Sequence, residues 1–132
     1  MRNRRSVAGG LATIATLVLC AAPAAFAASA KGPVVRVAGT CTNASSAKLK
    51  LSDEDGRIEV EFEVDQNRVG RKWSVVLRQN GTVIRRLTKV TQAPSGSFEA
   101  RVLARNSAGT DRFVATATRP GETCTARASF SG

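Results

Sequence analysis

The chain has 132 residues, a length that suits one compact domain, with 20 Lys and Arg against 10 Asp and Glu and a formal net charge of +10. It contains no His and no Tyr. Without His, the chain cannot form Ser-His or Cys-His catalytic pairs or His-ligated metal sites. Composition therefore excludes many common enzyme mechanisms and leaves a binding role open.

The first residues have the order of a secretory signal peptide. Arginines close to the N-terminus precede an apolar run at 11–19, which is followed by a proline and by small residues that end at Ala27. This order predicts cleavage after Ala27, with cleavage after Ala30 as the alternative. The apolar run is too short to span a bilayer. We therefore expect residues 1–27 to be a helical signal peptide and the protein to be secreted, extracellular and not membrane-spanning.

The cysteines point to a disulfide. Removal of the signal peptide would remove Cys20 and leave Cys41 and Cys124. In an exported chain such a pair forms a disulfide more often than a metal site, and Zn²⁺ would lack further ligands without His. We expect a Cys41–Cys124 bond, no metal and no cofactor. The bond would fasten an N-terminal extension at 28–47 to a domain at 48–132.

The residues beyond the extension alternate as in β-strands. Positions 58–64 alternate apolar and acidic residues, a period of two that fits a strand and not a helix. A four-residue loop at 53–56 would pair them with 48–51, so that apolar residues meet on one face and opposite charges on the other. The expected pairs are Leu51 with Ile58, Lys50 with Glu59, Leu49 with Val60 and Lys48 with Glu61.

A second hairpin is predicted at the dipeptide Asn80-Gly81, which lies between two β-rich runs and favours a type I′ turn. Its register would pair Leu77 with Ile84. Continued further, it would place Arg86 opposite Val75 on the inward side. We therefore expect a bulge, or an edge strand whose Arg86 reaches out to solvent.

Three more strands are predicted at 97–104, 112–118 and 123–130, between glycine-containing turns. Seven short strands at regular spacing predict an all-β, antiparallel sandwich. The expected core residues are Phe62, Trp73, Val75, Leu77, Ile84, Phe98, Val102, Phe113 and Ala115.

Three features resemble the immunoglobulin or fibronectin type III layout. They are Trp73 on the third predicted strand, the Asn80-Gly81 hairpin and the segment 108–115. The chain from Cys41 resembles small exported β-sandwich proteins of high-GC Gram-positive bacteria. This resemblance implies a seven-stranded sandwich fold of that type, and it provides no active-site residues to carry over. The pattern departs from antibody domains, because no Tyr stands at the corner position and the cysteines do not bracket Trp73.

Two acidic features could carry chemistry. Glu59, Glu61 and Glu63 share a strand face and could supply two carboxylates for glycoside hydrolysis, but they share one environment beside a lysine-bearing strand. Residues 53–56 resemble the start of a calcium loop, but no bidentate Glu follows at the required spacing. We therefore expect neither an enzyme nor a metal protein.

Basic residues are concentrated between positions 66 and 98, which hold seven cationic residues and no Asp or Glu. If the third and fourth strands form a sheet edge, these charges should cluster and create a positive potential. The alternative is that they only protect the edge from aggregation. The predicted anion-binding residues are Arg68, Arg71, Lys72, Arg78, Arg85, Arg86 and Lys89.

These observations predict a non-enzymatic exported binding module, monomeric, whose partner is an anionic cell-envelope polymer or an acidic protein. Dedicated nucleic-acid recognition is not expected, because the few aromatic residues are needed in the core. The alternative is a structural or inhibitory interaction domain that adds a partner strand to the sheet edge at 82–90. Arg101, Arg105 and Arg127 are expected to lie outside the binding surface.

Overall fold

The computed structural model describes residues 9–12, 21–24 and 32–132. The described residues contain no helix, and nine β-strands form two antiparallel sheets. The strands are β1 (Val34–Ala38), β2 (Thr40–Cys41), β3 (Ser46–Glu54), β4 (Arg57–Asp65), β5 (Lys72–Gln79), β6 (Thr82–Val90), β7 (Ser97–Arg105), β8 (Thr110–Arg119) and β9 (Glu122–Ser131).

Most of the predicted signal peptide lies outside the described residues, as do both cleavage positions, Ala27 and Ala30, and Cys20. Residues 9–12 and 21–24 have no regular secondary structure. Within the described ranges there is no helix of the length and apolar character needed to cross a membrane.

The two sheets differ in size. The four-stranded sheet has the order β1-β3-β4-β7, and the five-stranded sheet has the order β2-β9-β8-β5-β6. The chain passes between them at Gly39, where an added Cβ would lie 2.8 Å from the carbonyl oxygen of Thr125. The predicted all-β sandwich is confirmed. The strand number of seven is wrong for the described residues, because β1 and β2 occupy part of the stretch interpreted as an extension.

The core lies between the two sheets. Its largest side chains, Trp73, Phe62, Phe113 and Phe130, are each at most 2% exposed. Seven of the nine predicted core residues are buried, while Ile84 and Val102 are partly buried and pack against the core. The alternation of the strands therefore identified most of the apolar interior.

The hairpin of β3 and β4 is confirmed, but its predicted register is wrong by two positions. Lys50 lies opposite Glu61 and Leu51 opposite Val60. The turn contains only Asp55 and Gly56, with φ values of 50° and 76°, the left-handed backbone of a type I′ turn. A shift of two positions keeps each residue on its original face, so the predicted inward and outward faces hold.

The hairpin of β5 and β6 has the predicted type I′ turn, with Asn80 at φ 49° and Gly81 at φ 82°. The ladder shifts register between Leu77 and Arg78. Leu77 consequently lies opposite Arg85, so the predicted pairing with Ile84 is wrong. The expected irregularity is present, and Arg86 lies opposite Val76 on the outward side. β6 is an edge strand.

Cys41 and Cys124 are disulfide-bonded, as predicted. They are direct neighbours across the β2–β9 ladder and stand 83 positions apart in sequence. The bond therefore ties the short strand β2 to β9 at the edge of the five-stranded sheet.

Candidate anion-binding face

Alternate residues of β5, β6, β8 and β9 point away from the core and form the solvent side of the five-stranded sheet, which we call the outer face. The strand registers arrange these side chains in rows that cross the sheet. Three successive rows are Val83-Arg78-Val114-Arg127, Arg86-Val76-Thr116-Thr125 and Thr88-Ser74-Thr118-Thr123.

The outer face carries a uniform charge. No Asp or Glu side chain lies on it within the described residues, and none of its cations is in an ion pair there. Its cationic residues are Lys72, Arg78, Arg86, Arg112 and Arg127.

The cations stand close enough to act together. Strands are spaced by about 4.8 Å and alternate residues along a strand by about 7 Å, so the backbone position of Arg78 lies about 8 Å from that of Arg86 and about 10 Å from that of Arg127. This separation is near the Debye length at physiological salt, about 8 Å. The face therefore presents a shared positive potential, and an anion that spans two of these residues would interact with both.

The carboxylates lie elsewhere. Asp111 on β8 and Glu122 on β9 belong to the five-stranded sheet but are buried. The remaining eight acidic residues lie on β3, β4, β7 and the β3–β4 turn. The two sheets therefore differ in charge on their solvent sides.

The structure divides the seven predicted anion-binding residues into three groups. Lys72, Arg78 and Arg86 lie on the outer face. Arg85 and Lys89 lie opposite Leu77 and Trp73, on the core-facing side of the edge strand. Arg68 and Arg71 lie in the loop between β4 and β5.

The sequence interpretation missed Arg112 and Arg127. Both residues lie in segments of mixed charge. Arg127, which was expected to lie outside the binding surface, shares a row of the outer face with Arg78. Only the order of strands in the sheet reveals this, since β9 is far from β5 in sequence.

Hydroxyl groups occupy many of the remaining positions on the outer face. The row of Thr88, Ser74, Thr118 and Thr123 crosses four strands without interruption. Serine and threonine hydroxyls both donate and accept hydrogen bonds. Together with the arginines they offer donors to phosphate, sulfate or carboxylate oxygens and acceptors to ligand hydroxyls.

The solvent side of the four-stranded sheet is an ion-pair network. Glu61, whose side chain is 8% exposed, lies 2.5 Å from Lys50 Nζ and 2.5 Å from Arg101 Nη2. Lys48 pairs with Glu63 at 3.2 Å, and Arg101 lies 3.7 Å from Glu59.

Arg101 is the centre of this network. Its hydrogen bond to Glu99, reinforced by the charges of Glu99, Glu61 and Glu59, raises the pKa of the guanidinium. Each of the three glutamates that could have formed a glycosidase pair therefore has a cationic partner, and the arrangement presents no free pair of carboxylates.

One group in the described residues has the composition of a metal site. Ligand atoms of Cys41, Cys124 and Glu122 lie within 4.8 Å of one another. Both sulfurs are joined in the disulfide and cannot bind a metal as thiolates. The acidic segment at 53–56 forms the end of the β3–β4 hairpin and its two-residue turn.

Comparison with protein-family models and with curated proteins gave no match. Among solved structures, the crystal structure of a Br derivative of BhCBM56, a carbohydrate-binding module, superposes with a TM-score of 0.37 and 19% sequence identity. The alignment covers 65% of this chain and 91% of that chain. A likeness of this strength assigns neither a ligand nor a function.

Proposed function

We propose that this protein is a non-enzymatic, exported binding module that holds an anionic cell-envelope polymer against its outer face. The observation that carries the proposal is the set of five cations on one solvent face that has no carboxylate within the described residues. A polymer lying across the sheet would contact several rows at once. Each contact would release counterions, so the affinity would fall steeply with salt.

Protection of a sheet edge does not account for these charges. Native sheets place charge on edge strands to prevent pairing with other chains. Arg78 on β5 and Arg112 on β8 instead lie on interior strands, whose edges are already paired on both sides. Their presence on the outer face therefore supports a ligand.

The same structure supports a polymer backbone rather than nucleic-acid bases as the partner. The aromatic side chains of the described residues, Phe62, Trp73, Phe98, Phe113 and Phe130, are all buried. Proteins that read single-stranded bases stack them on exposed aromatic rings. Recognition would therefore rest on charge and hydroxyl contacts.

We also propose that the sandwich is of the fibronectin type III kind. β3, β4 and β7 would form its three-stranded sheet and β6, β5, β8 and β9 its four-stranded sheet, with β1 and β2 added at the edges. The observed strand orders support this assignment. Export is supported by the Cys41–Cys124 disulfide, since such bonds persist in oxidising compartments.

The proposal is tested by adhesion to immobilised polyphosphate and immobilised heparin, as probes for phosphate and sulfate polymers. We expect binding at low salt, with the logarithm of the affinity falling linearly with the logarithm of the salt concentration. Folded protein that binds neither probe at low salt would contradict the proposal.

Matched variants locate the site. Replacing Arg78, Arg86 and Arg127 with Gln removes three charges from the outer face and should weaken adhesion by roughly tenfold or more, since each phosphate contact contributes separately. The control replaces Arg36, Arg57 and Arg105, on the other sheet, with Gln and should change adhesion less than about twofold. Equal losses would mean that only net charge matters.

Strand addition at β6 is the alternative function. The edge is open along Thr82–Val90, but the irregularity beside Leu77 interrupts it and would break a continuous ladder with a partner strand. Binding of an acidic protein that persists at high salt and is unaffected by the outer-face variants would favour this alternative.

A further inference from the structure

A second candidate site lies at one end of the sandwich, where the β2–β3 loop, the β4–β5 loop and the β8–β9 turn meet. It is a polar pocket of about 200 Å³, which we call the end pocket. Its polar lining residues are Asn43, Ser45, Gln66, Arg68, Arg119 and Glu122.

Two of the lining residues, Ser45 and Arg119, each hold a side-chain atom without a hydrogen-bond partner. Ser45 Oγ and Arg119 Nε are buried, and neither has a hydrogen-bond partner among the described residues. A buried polar atom without a partner is destabilising, and native proteins leave few of them. Both atoms belong to residues that line the end pocket, so a group bound there would lie next to them.

The walls of the pocket are held in place by their own contacts. The Arg119 guanidinium carbon lies 5.8 Å from the centre of the Trp73 ring. The indole Nε1 of Trp73 donates to Gln66 Oε1 at 3.1 Å, and the backbone N–H of Ser45 donates to Glu122 Oε1 at 3.0 Å. These contacts hold Arg119, Gln66 and Glu122 in position in the pocket wall.

The chemistry of the lining defines the ligand. Arginine Nε can only donate a hydrogen bond, and the serine hydroxyl can donate one, so the two unpartnered atoms call for an acceptor-rich group. Arg119 and Arg68 form no ion pair of 4.0 Å or less with any described carboxylate, so both cations can face an anion. The carboxylate of Glu122 would repel a second negative charge on the ligand, and it can accept a hydrogen bond from a ligand hydroxyl.

We infer that the end pocket binds a small hydroxy acid, such as a single carboxylate-bearing sugar. The carboxylate accepts hydrogen bonds from Arg119 and Ser45, and a ligand hydroxyl donates to Glu122. This site is separate from the outer face, and its occupancy does not depend on polymer binding.

The position of Trp73 provides the measurement, since it is the one tryptophan of the chain and lies beneath Arg119. The purified protein is titrated with glucuronate, glucose and acetate while tryptophan fluorescence is recorded. We expect a saturable change with glucuronate, at an affinity at least tenfold higher than that for glucose or acetate. No saturable change with any of the three probes would overturn the inference.

Variants distinguish binding in the end pocket from a general effect of the protein's positive charge. Arg119→Lys keeps the charge but removes Nε and should weaken glucuronate binding at least tenfold. Ser45→Ala should weaken it several-fold and serves as the test if Arg119→Lys does not fold. The control, Arg112→Gln on the outer face, should bind glucuronate as the wild type does. Undiminished glucuronate binding by both pocket variants would show that the end pocket is not the binding site.

The two proposals can fail independently. Pocket variants should retain adhesion to polyphosphate and heparin, while outer-face variants should retain glucuronate binding. Loss of both activities in every variant would show that neither site is specific.

Discussion

At the scale of single residues, Asp111 on β8 is the most deeply buried charged residue that the structure describes, at 0% exposed. Its Oδ1 accepts hydrogen bonds from Gln79 Nε2 at 2.9 Å and Asn80 Nδ2 at 2.8 Å, and its Oδ2 accepts one from the backbone N–H of Ser107 at 2.8 Å. This carboxylate connects the β5–β6 turn to the β7–β8 loop.

These hydrogen bonds decide the charge state of Asp111. Burial by itself would raise its pKa, but the hydrogen bonds from Ser107, Gln79 and Asn80 prevail and lower it. A carboxyl with a lowered folded-state pKa stabilises the fold above its unfolded pKa, about 3.9, and the contribution is lost as pH falls through the folded value.

Asp111→Asn should therefore destabilise the protein by about 2 to 3 kcal/mol at pH 7, because an amide donor would face N–H donors in a buried site. The loss of stability on acidification should also become shallower. Denaturant unfolding of both proteins at pH 7 and at low pH measures these effects. An unchanged unfolding midpoint at pH 7 would contradict the role assigned to the carboxylate.

Gly96 and Gly56 provide a matched test of backbone fit. Both have positive φ, 74° and 76°, but a Cβ at Gly96 would overlap the backbone nitrogen of Arg68, whereas nothing lies within 4 Å at Gly56. Gly56→Ala should cost about 1 to 2 kcal/mol for the left-handed backbone alone. Gly96→Ala should cost clearly more, as measured by thermal unfolding. Equal losses of stability in the two variants would mean that the β4–β5 loop moves away from the added Cβ at Gly96 without a cost in free energy.

At the scale of elements, the alternation in β4 gave reliable faces but not a reliable register. Apolar and acidic residues repeat every two positions, so a shift of two leaves every face matched and the pattern cannot detect it. The turn chemistry decides the register instead: Asp55 and Gly56 adopt left-handed backbones and close a two-residue turn. In the next hairpin, the dipeptide Asn80-Gly81 allowed the same type of turn to be predicted from the sequence.

The inward face of β4 can be tested with a matched pair. Val60 is 1% exposed, so Val60→Asp would bury an unpaired carboxylate and should unfold the domain, at a cost of about 4 kcal/mol or more. Val76→Asp makes the same change on the outer face, opposite Arg86, and should leave the fold intact while weakening adhesion to polyphosphate.

Thermal unfolding and circular dichroism measure both proteins. A folded Val60→Asp variant with an unchanged midpoint would show that the faces of β4 are misassigned.

The candidate site was only partly predictable. Lys72, Arg78 and Arg86 were identified because their window lacks acidic residues, but Arg85 and Lys89 share that window and fall on the other side of the strand. A count of charges along the chain does not show which face of a strand each charge occupies beyond the register shift in the β5–β6 ladder. Nor does it reveal that β8 and β9 extend the same surface, because strand order depends on tertiary packing.

At the scale of the whole molecule, the disulfide secures the N-terminal strands. β2 pairs with β9 over only two residues, one of which is Cys41. Replacing both cysteines with Ser should lower the stability by up to about 4 to 5 kcal/mol, the chain-entropy value for a loop of this length.

Hydrogen exchange should show that β1 and β2 lose protection first in this variant, while β5 and β8 remain protected. Detection of two free thiols in the exported wild-type protein by mass spectrometry would contradict the Cys41–Cys124 bond.

The unequal charge on the two solvent sides makes the molecule electrically asymmetric. With unpaired cations on one flat side and a compensated network on the other, the domain carries an electric dipole directed across its thickness. In the field of a negatively charged surface it experiences a torque at about a Debye length, before any atoms touch. If the proposed anionic polymer presents such a surface, the domain would arrive already rotated, with its outer face toward the polymer and the β3–β4 side directed away from it.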